Sequence, residues 1–177
     1  MDLVVARSGP HWRARFGDLE WRCAVGRTGV SADKREGDGA TPVGRWPMRR
    51  LLYRADRLVP PVTVLDAGPI APDDAWCDDP GHQAYNRAVR LPFAAGRERL
   101  WRDDGLYDLV VVLGHNDDPP APGRGSCIFL HVARADYGAT EGCVALARGD
   151  LVELLRRVTA HSGVAVRSPD VAQSSAG

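Results

Sequence analysis

Lysine is almost missing from this chain: Lys34 is the only one in 177 residues, and arginine supplies the remaining positive charge. The 23 basic side chains are matched by 23 acidic ones, so the formal net charge is zero. A nucleic-acid-binding protein normally carries a basic surplus, and its lack argues against that class. No run of about 18 apolar residues occurs, so no segment reads as a membrane-spanning helix. The opening stretch, MDLVVARSGPHWRARFG, has no charged segment followed by a long apolar one, and no secretion signal is visible in it. Cys23, Cys77, Cys127 and Cys143 include no CxxC pair, whereas zinc sites usually draw ligands in close pairs. We therefore expect no metal. Two disulfides are possible by count, but a domain of this size does not need them. There is no internal repeat.

What the chain does have is punctuation. Its 19 glycines and 13 prolines interrupt short apolar runs, a pattern that favours many short strands over long helices. Leu3–Ala6 reads as a first strand, and Trp12–Phe16 and Leu19–Val25 flank Gly17-Asp18 as a hairpin. Gly37–Gly44 is a loop, Arg45–Tyr53 a strand, and Val62–Leu65 another short strand. Residues 66–104 look like a long ordered excursion over the surface, the kind of segment that often carries function. Leu109–Leu113 and Cys127–Leu130 are continuous apolar runs, as expected of strands buried on both faces. One helix is clear at about 150–161, with Leu151, Leu154, Leu155 and Val158 on one face, and Gly163–Val166 supplies a last strand. The expectation is one mostly β domain over residues 1–167 and a disordered tail over 168–177.

The run HVARADYGATEGCVAL, residues 131–146, puts a histidine at the end of one apolar strand and a cysteine at the start of the next. A thiol is a useful nucleophile only as thiolate, and a histidine in hydrogen-bond reach can take its proton. Gly142 removes a side chain where a substrate carbonyl would approach, and a turn there could aim backbone N–H groups at an oxyanion. Spacing alone leaves a second reading open, in which His131 caps a strand and Cys143 is a small core hydrophobe.

IFLHVARADYGATEGCVAL resembles the signature of the YkuD family of L,D-transpeptidases: a strand-end histidine, a loop, then Ser/Thr-x-Gly-Cys and an apolar residue. Thr140-Glu141-Gly142-Cys143-Val144 fits that pattern. A second stretch, Gly37-Asp38-Gly39-Ala40-Thr41-Pro42-Val43-Gly44, is similar to the family's early Gly-x-x-x-Thr-Pro-x-Gly segment, so the likeness covers roughly residues 3–167. The resemblance implies a β-sandwich-like domain with mixed sheets. It also implies Cys143 as nucleophile, His131 as general base, and the N–H groups of Gly142 and Cys143 as oxyanion hole. The implied reaction is acyl transfer on peptidoglycan stem peptides through a cysteinyl thioester, giving 3→3 cross-links without metal or organic cofactor. A carboxypeptidase or amidase on the same scaffold, or a non-catalytic wall-binding domain, are the alternatives. The family acts in the periplasm or cell envelope, and we expect a monomer there.

Three positions depart from the family. Glu141 stands where histidine is common, and a carboxylate near the thiol would disfavour the thiolate unless it turns away or pairs with an arginine. Ala145 replaces a frequent Asn or Arg, and the loop from His131 to Cys143 is a few residues shorter than usual. As further substrate-binding candidates we take Thr140 and Glu141 from the motif, Arg134 and Tyr137 from the loop, and His115, whose place after Leu113-Gly114 mirrors that of His131. Trp76, Tyr85 and Asn86 are weaker groove candidates, because aromatics in an excursion more often pin it down. Cys127 is expected to be core packing.

Overall fold

The computed structural model describes residues 1–169, so most of the tail expected over 168–177 lies outside the described residues. In chain order the strands are β1 (Leu3–Ser8), β2 (His11–Phe16), β3 (Leu19–Ala24), β4 (Val30–Ser31), β5 (Thr41–Pro42), β6 (Gly44–Tyr53) and β7 (Ala67–Pro69). They continue with β8 (Asp74–Cys77), β9 (Ala88–Arg90), β10 (Arg97–Arg99), β11 (Leu109–Leu113), β12 (Phe129–Val132) and β13 (Val144–Leu146). Helix α1 (Arg148–Arg157) and β14 (Gly163–Val166) complete the order.

The main sheet runs β11-β12-β13-β3-β2-β1-β14-β6-β7, and β6 also pairs with β11, so the sheet closes on itself. Strand β6 can do both because it is long: Gly44–Pro47 pair with β14, and Met48–Tyr53 with β11. Pairing is mixed, as expected, with β1–β14, β6–β7 and β12–β13 parallel and the neighbours between them antiparallel.

Apolar alternation sorts the side chains of β11, β12 and β13 into two layers. Leu109, Val111, Leu130, Val132, Val144 and Leu146 point inward, where they meet Leu151, Leu154 and Leu155 of α1. Val110, Val112, Phe129 and Cys143 point outward, onto Ile70, Leu100 and Tyr107. These strands are buried on both faces, which is why they read as unbroken apolar runs. The outer cover is the excursion after β7, organised by a small antiparallel sheet in the order β10-β8-β9.

Four local expectations shift. Val62–Leu65 is not a strand: it follows Pro60-Pro61, and Val62 and Val64 are exposed, so β-branched composition misled where no ladder partner stands alongside. Cys127 lies outside β12 in a left-handed conformation, φ 54. The excursion holds more strand than its composition suggested. Helix α1 starts and stops earlier than 150–161, because Val158 turns extended (φ −64, ψ 155) as its N–H bonds back to Leu154 O. Replacing Leu154, fully buried between the helix and the sheet, with alanine should cost about 2–5 kcal/mol, read by urea unfolding.

Candidate active site

Strands β12 and β13 lie side by side in parallel, pairing Leu130 with Val144, His131 with Ala145 and Val132 with Leu146. Successive side chains alternate faces, so Phe129, His131, Cys143 and Ala145 share the outer face. Cys143 stands level with Phe129, whose N–H donates to its Sγ at 3.4 Å. His131 lies two residues further along on that face, and diagonal neighbours meet when a side chain is long or aromatic. Both line one cleft of about 380 Å³, whose walls include Glu36, Asp78, Glu98, Arg102, Tyr107 and Arg134. Each is more than nine-tenths buried, yet both open onto the cleft.

The hydrogen bonds define the resting state. His131 Nδ1 sits 2.9 Å from Val132 O. A carbonyl oxygen can only accept, so Nδ1 carries the proton and Nε2 keeps its lone pair. The Tyr107 ring holds the imidazole edge-to-face at 5.2 Å. Burial pushes the His131 pKa down to about 4, so the ring is neutral at pH 7. The Cys143 thiol donates to Cys127 O at 3.2 Å, and burial pushes its pKa up to about 12. Thiol and imidazole therefore rest as a neutral pair. On the cleft wall, burial raises the Glu98 carboxyl although Arg102 pairs with it at 3.1 Å. Burial and then the Glu36 charge raise Asp78.

The turn before β13 is held on several sides. The Thr140 hydroxyl accepts the Gly142 N–H at 3.1 Å and donates to Cys143 O at 2.7 Å. The Thr41 hydroxyl also donates to Cys143 O, at 3.2 Å, while accepting the Gly26 N–H at 2.8 Å. Thr140 N–H donates to Val25 O at 2.9 Å, and Arg27 N–H donates to Thr140 O at 2.8 Å. The Cys143 N–H enters none of these bonds. Gly142 has φ +140, and a Cβ there would stand 2.9 Å from Ala40 O, so the close backbone approach requires glycine. The two sequence motifs are thus one assembly, joined at the carbonyl of Cys143.

The other candidates disperse. Thr140, Glu141 and Arg134 line the cleft with Cys143 and His131. The Glu141 carboxylate, 82% exposed, turns outward to pair with Arg27 at 2.8 Å. His115 lies instead in a separate depression with Trp46 and Arg124, its Nε2 donating to Arg124 O at 2.9 Å. Tyr137 lines a third depression beneath the Arg22 guanidinium, 4.6 Å from the ring centre. Asn86 acts as a pin: its amide oxygen accepts from Trp76 Nε1 at 2.9 Å and Cys127 N at 3.2 Å, fixing the Cys127 backbone. Tyr85 bonds Glu36. Tyr107, Glu98, Arg102 and Lys34 surround the site without having been foreseen. Only Lys34 carried a signal, as the sole lysine just before the Gly37–Gly44 loop. All four cysteines are free. Among the described residues no His, Cys, Asp or Glu cluster is placed to hold a metal.

The profile of the YkuD L,D-transpeptidase catalytic domain matches residues 9–166. The chain belongs to this family. The match runs across both motifs and every strand of the closed sheet but β1. No curated protein and no solved structure matches the chain. Its fold is therefore that of the L,D-transpeptidase catalytic domain, whose family acts on peptidoglycan. Among the described residues no helix is long and apolar enough to cross a membrane.

Two outcomes follow for this YkuD domain. Thr41→Val leaves the buried Gly26 N–H without its acceptor and should cost ~1–3 kcal/mol in chemical unfolding. For His131, the unfolded chain takes a proton near pH 6.5, but the native chain only near 4. The native state is thus favoured in full above pH 6.5, and that advantage is lost as pH falls toward 4. At ~1.4 kcal/mol per pH unit, His131→Gln should lose roughly 2 kcal/mol less stability than the wild type between pH 7 and pH 4.5.

Proposed function

We propose that this domain transfers the acyl group of a peptidoglycan stem peptide through a thioester on Cys143. The observation that carries the reading is a thiol and a neutral imidazole on one strand face, opening onto one cleft, with His131 Nδ1 tied to Val132 O. That tie leaves Nε2 as the proton acceptor. Because the resting pair is neutral, the thiol proton must move as the substrate carbonyl is attacked: the S–H turns from Cys127 O to His131 Nε2, and the C–S bond forms. The Phe129 N–H supports the sulfur as it gains charge. The free Cys143 N–H, at the Gly142 turn, is the oxyanion donor of first choice, since Gly142 N–H already serves Thr140.

Collapse of the tetrahedral adduct breaks the C–N bond, and the proton on Nε2 passes to the departing amine of the terminal D-alanine. An acceptor amine then attacks the thioester, gives its proton to His131, and releases the sulfur, which takes the proton back. Substrate contacts fall to Arg134 and Thr140, with Arg102 beside them, while Glu141, turned toward Arg27, does not oppose the thiolate. The mixed lining of carboxylates and guanidiniums suits a peptide that ends in both ammonium and carboxylate groups. His115 and Tyr137, in other depressions, take no part in this reading.

A hydrolytic outcome on the same scaffold has one observation in its favour. Ala145 lines the cleft at the position where the family resemblance leads one to expect Asn or Arg, so no polar side chain there would hold an acceptor peptide. The test is whole-protein mass spectrometry with a tetrapeptide stem. The expected result is an adduct on Cys143 equal to the stem minus its terminal D-alanine, lost in Cys143→Ala and reduced at least 100-fold in rate in His131→Ala. Cross-linked dimers among the products indicate an amine acceptor, and trimmed stems alone indicate water. An unmodified wild-type protein would remove the acyl-transfer reading.

A further inference from the structure

Lys34 is only 5% exposed, an unusual place for an ammonium. It does not line the cleft, so no substrate touches it there. Its Nζ pairs with Asp38 and donates to Arg35 O at 2.9 Å. Asp38 is itself braced, accepting the N–H of Arg35 at 2.8 Å and that of Ala40 at 2.8 Å. An ammonium has three donors, and these two partners leave one to face elsewhere. Close by is the turn before Cys143: a Cβ built on Gly142 would stand 3.6 Å from Nζ, an ordinary contact. The stem of Lys34 is pressed from the other side by Gly125, where a Cβ would stand 2.9 Å from its Cγ. Gly125 therefore makes room for this side chain, and Gly142, in the motif proposed to carry the nucleophile, lies within ordinary contact distance of its ammonium.

Burying an ammonium costs several kcal/mol even when it is paired, and a surface lysine could brace the Gly37–Gly44 loop without that cost. We propose that Lys34 is a positioning residue whose buried charge, seated behind Gly142, stabilises the negative charge that develops at Cys143. This rests on Cys143 being the nucleophile. The titratable and charged groups around Cys143 come from every element near it: Asp78, Glu98 and Arg102 from the cover, Glu36 from the loop after Lys34, Tyr107 ahead of β11, Cys127 and His131 flanking and within β12, Arg134 from the loop after β12, and Lys34 behind the turn. Of these, Lys34 and Arg102 favour the thiolate and Glu98 opposes it. Lys34 in turn faces Asp38 and His115, whose burial and proximity to Lys34 both hold the imidazole neutral. Arg102 pairs with Asp104 and Glu98 on the cleft wall and Arg27 with the outward-turned Glu141, whereas Lys34 is the buried cation whose ammonium lies next to Gly142.

The experiment is the pH dependence of Cys143 alkylation by iodoacetamide, followed by intact mass, in wild type, Lys34→Met, Lys34→Arg and the neutralised pair Lys34→Met with Asp38→Asn. Lys34→Met should shift the alkylation profile up by about one pH unit and slow the reaction about tenfold at pH 8. Lys34→Arg should stay within about threefold of wild type, because it keeps the charge. Should Lys34→Met alone fail to fold, the neutralised pair removes the half-buried carboxylate left unpaired and carries the same expectation. A loop brace without electrostatic reach would alter unfolding but leave the profile in place, and an unmoved profile in a folded variant overturns the assignment. Such a result, with wild-type Cys143 still acylated by the stem peptide, leaves the acyl-transfer reading intact. An inert wild-type thiol overturns both.

Discussion

The parallel pairing of β12 with β13 is the constraint on which this site rests. It sets His131 opposite Ala145 and brings Cys143 level with Phe129, so that thiol and imidazole emerge on one face two rungs apart. A slip of one residue in either strand would turn one of the two groups into the core. The register is held because the intervening residues, Leu130, Val132, Val144 and Leu146, are all committed to the interior against α1. The same apolar alternation that stabilises the barrel-like sheet therefore places Cys143 and His131 on one face. Parallel neighbours need a crossover connection, and residues 133–143 provide it as a turn-rich loop that ends at Cys143.

The second dependence is on a carbonyl. Cys143 O is clamped by the hydroxyls of Thr140 and Thr41, one from each sequence motif. The clamp fixes the backbone beneath the Cys143 thiol while leaving its N–H out of these bonds. Thr41 also takes the Gly26 N–H, which draws β3's end and the Gly37–Gly44 loop into the same network. Behind this network sits Lys34 and in front of it the cleft. Burial keeps thiol and imidazole neutral at rest.

Much of this was legible in the chain itself, for a reason particular to each part. The runs Leu109–Leu113 and Gly163–Val166 could be read because strands buried on both faces are apolar throughout. The α1 stripe could be read because Leu151, Leu154 and Leu155 recur at helical spacing. Val62–Leu65 misled, since β-branched residues mark a strand only where a neighbour completes the ladder. His115 was drawn in by its likeness to His131, one residue type after one apolar strand, but β11 ends beside Trp46 and Arg124 and not at the cleft. Tyr107, Glu98 and Arg102 could not be found, because they reach the site from the cover layer, across long sequence separations.

The amino-acid order by itself determined the β architecture, the pair of motifs and the placing of a thiol and an imidazole at neighbouring strand ends. These are local matters of periodicity, turn chemistry and residue type. Only the tertiary structure decided that Glu141 turns to Arg27, that the two motifs meet at one carbonyl, and that the lone lysine lies behind the turn. Those outcomes depend on closing the sheet and laying the excursion over its outer face, which brings together side chains far apart in the chain. Proximity and burial then set the protonation of the pair, and neither is a property of any short segment.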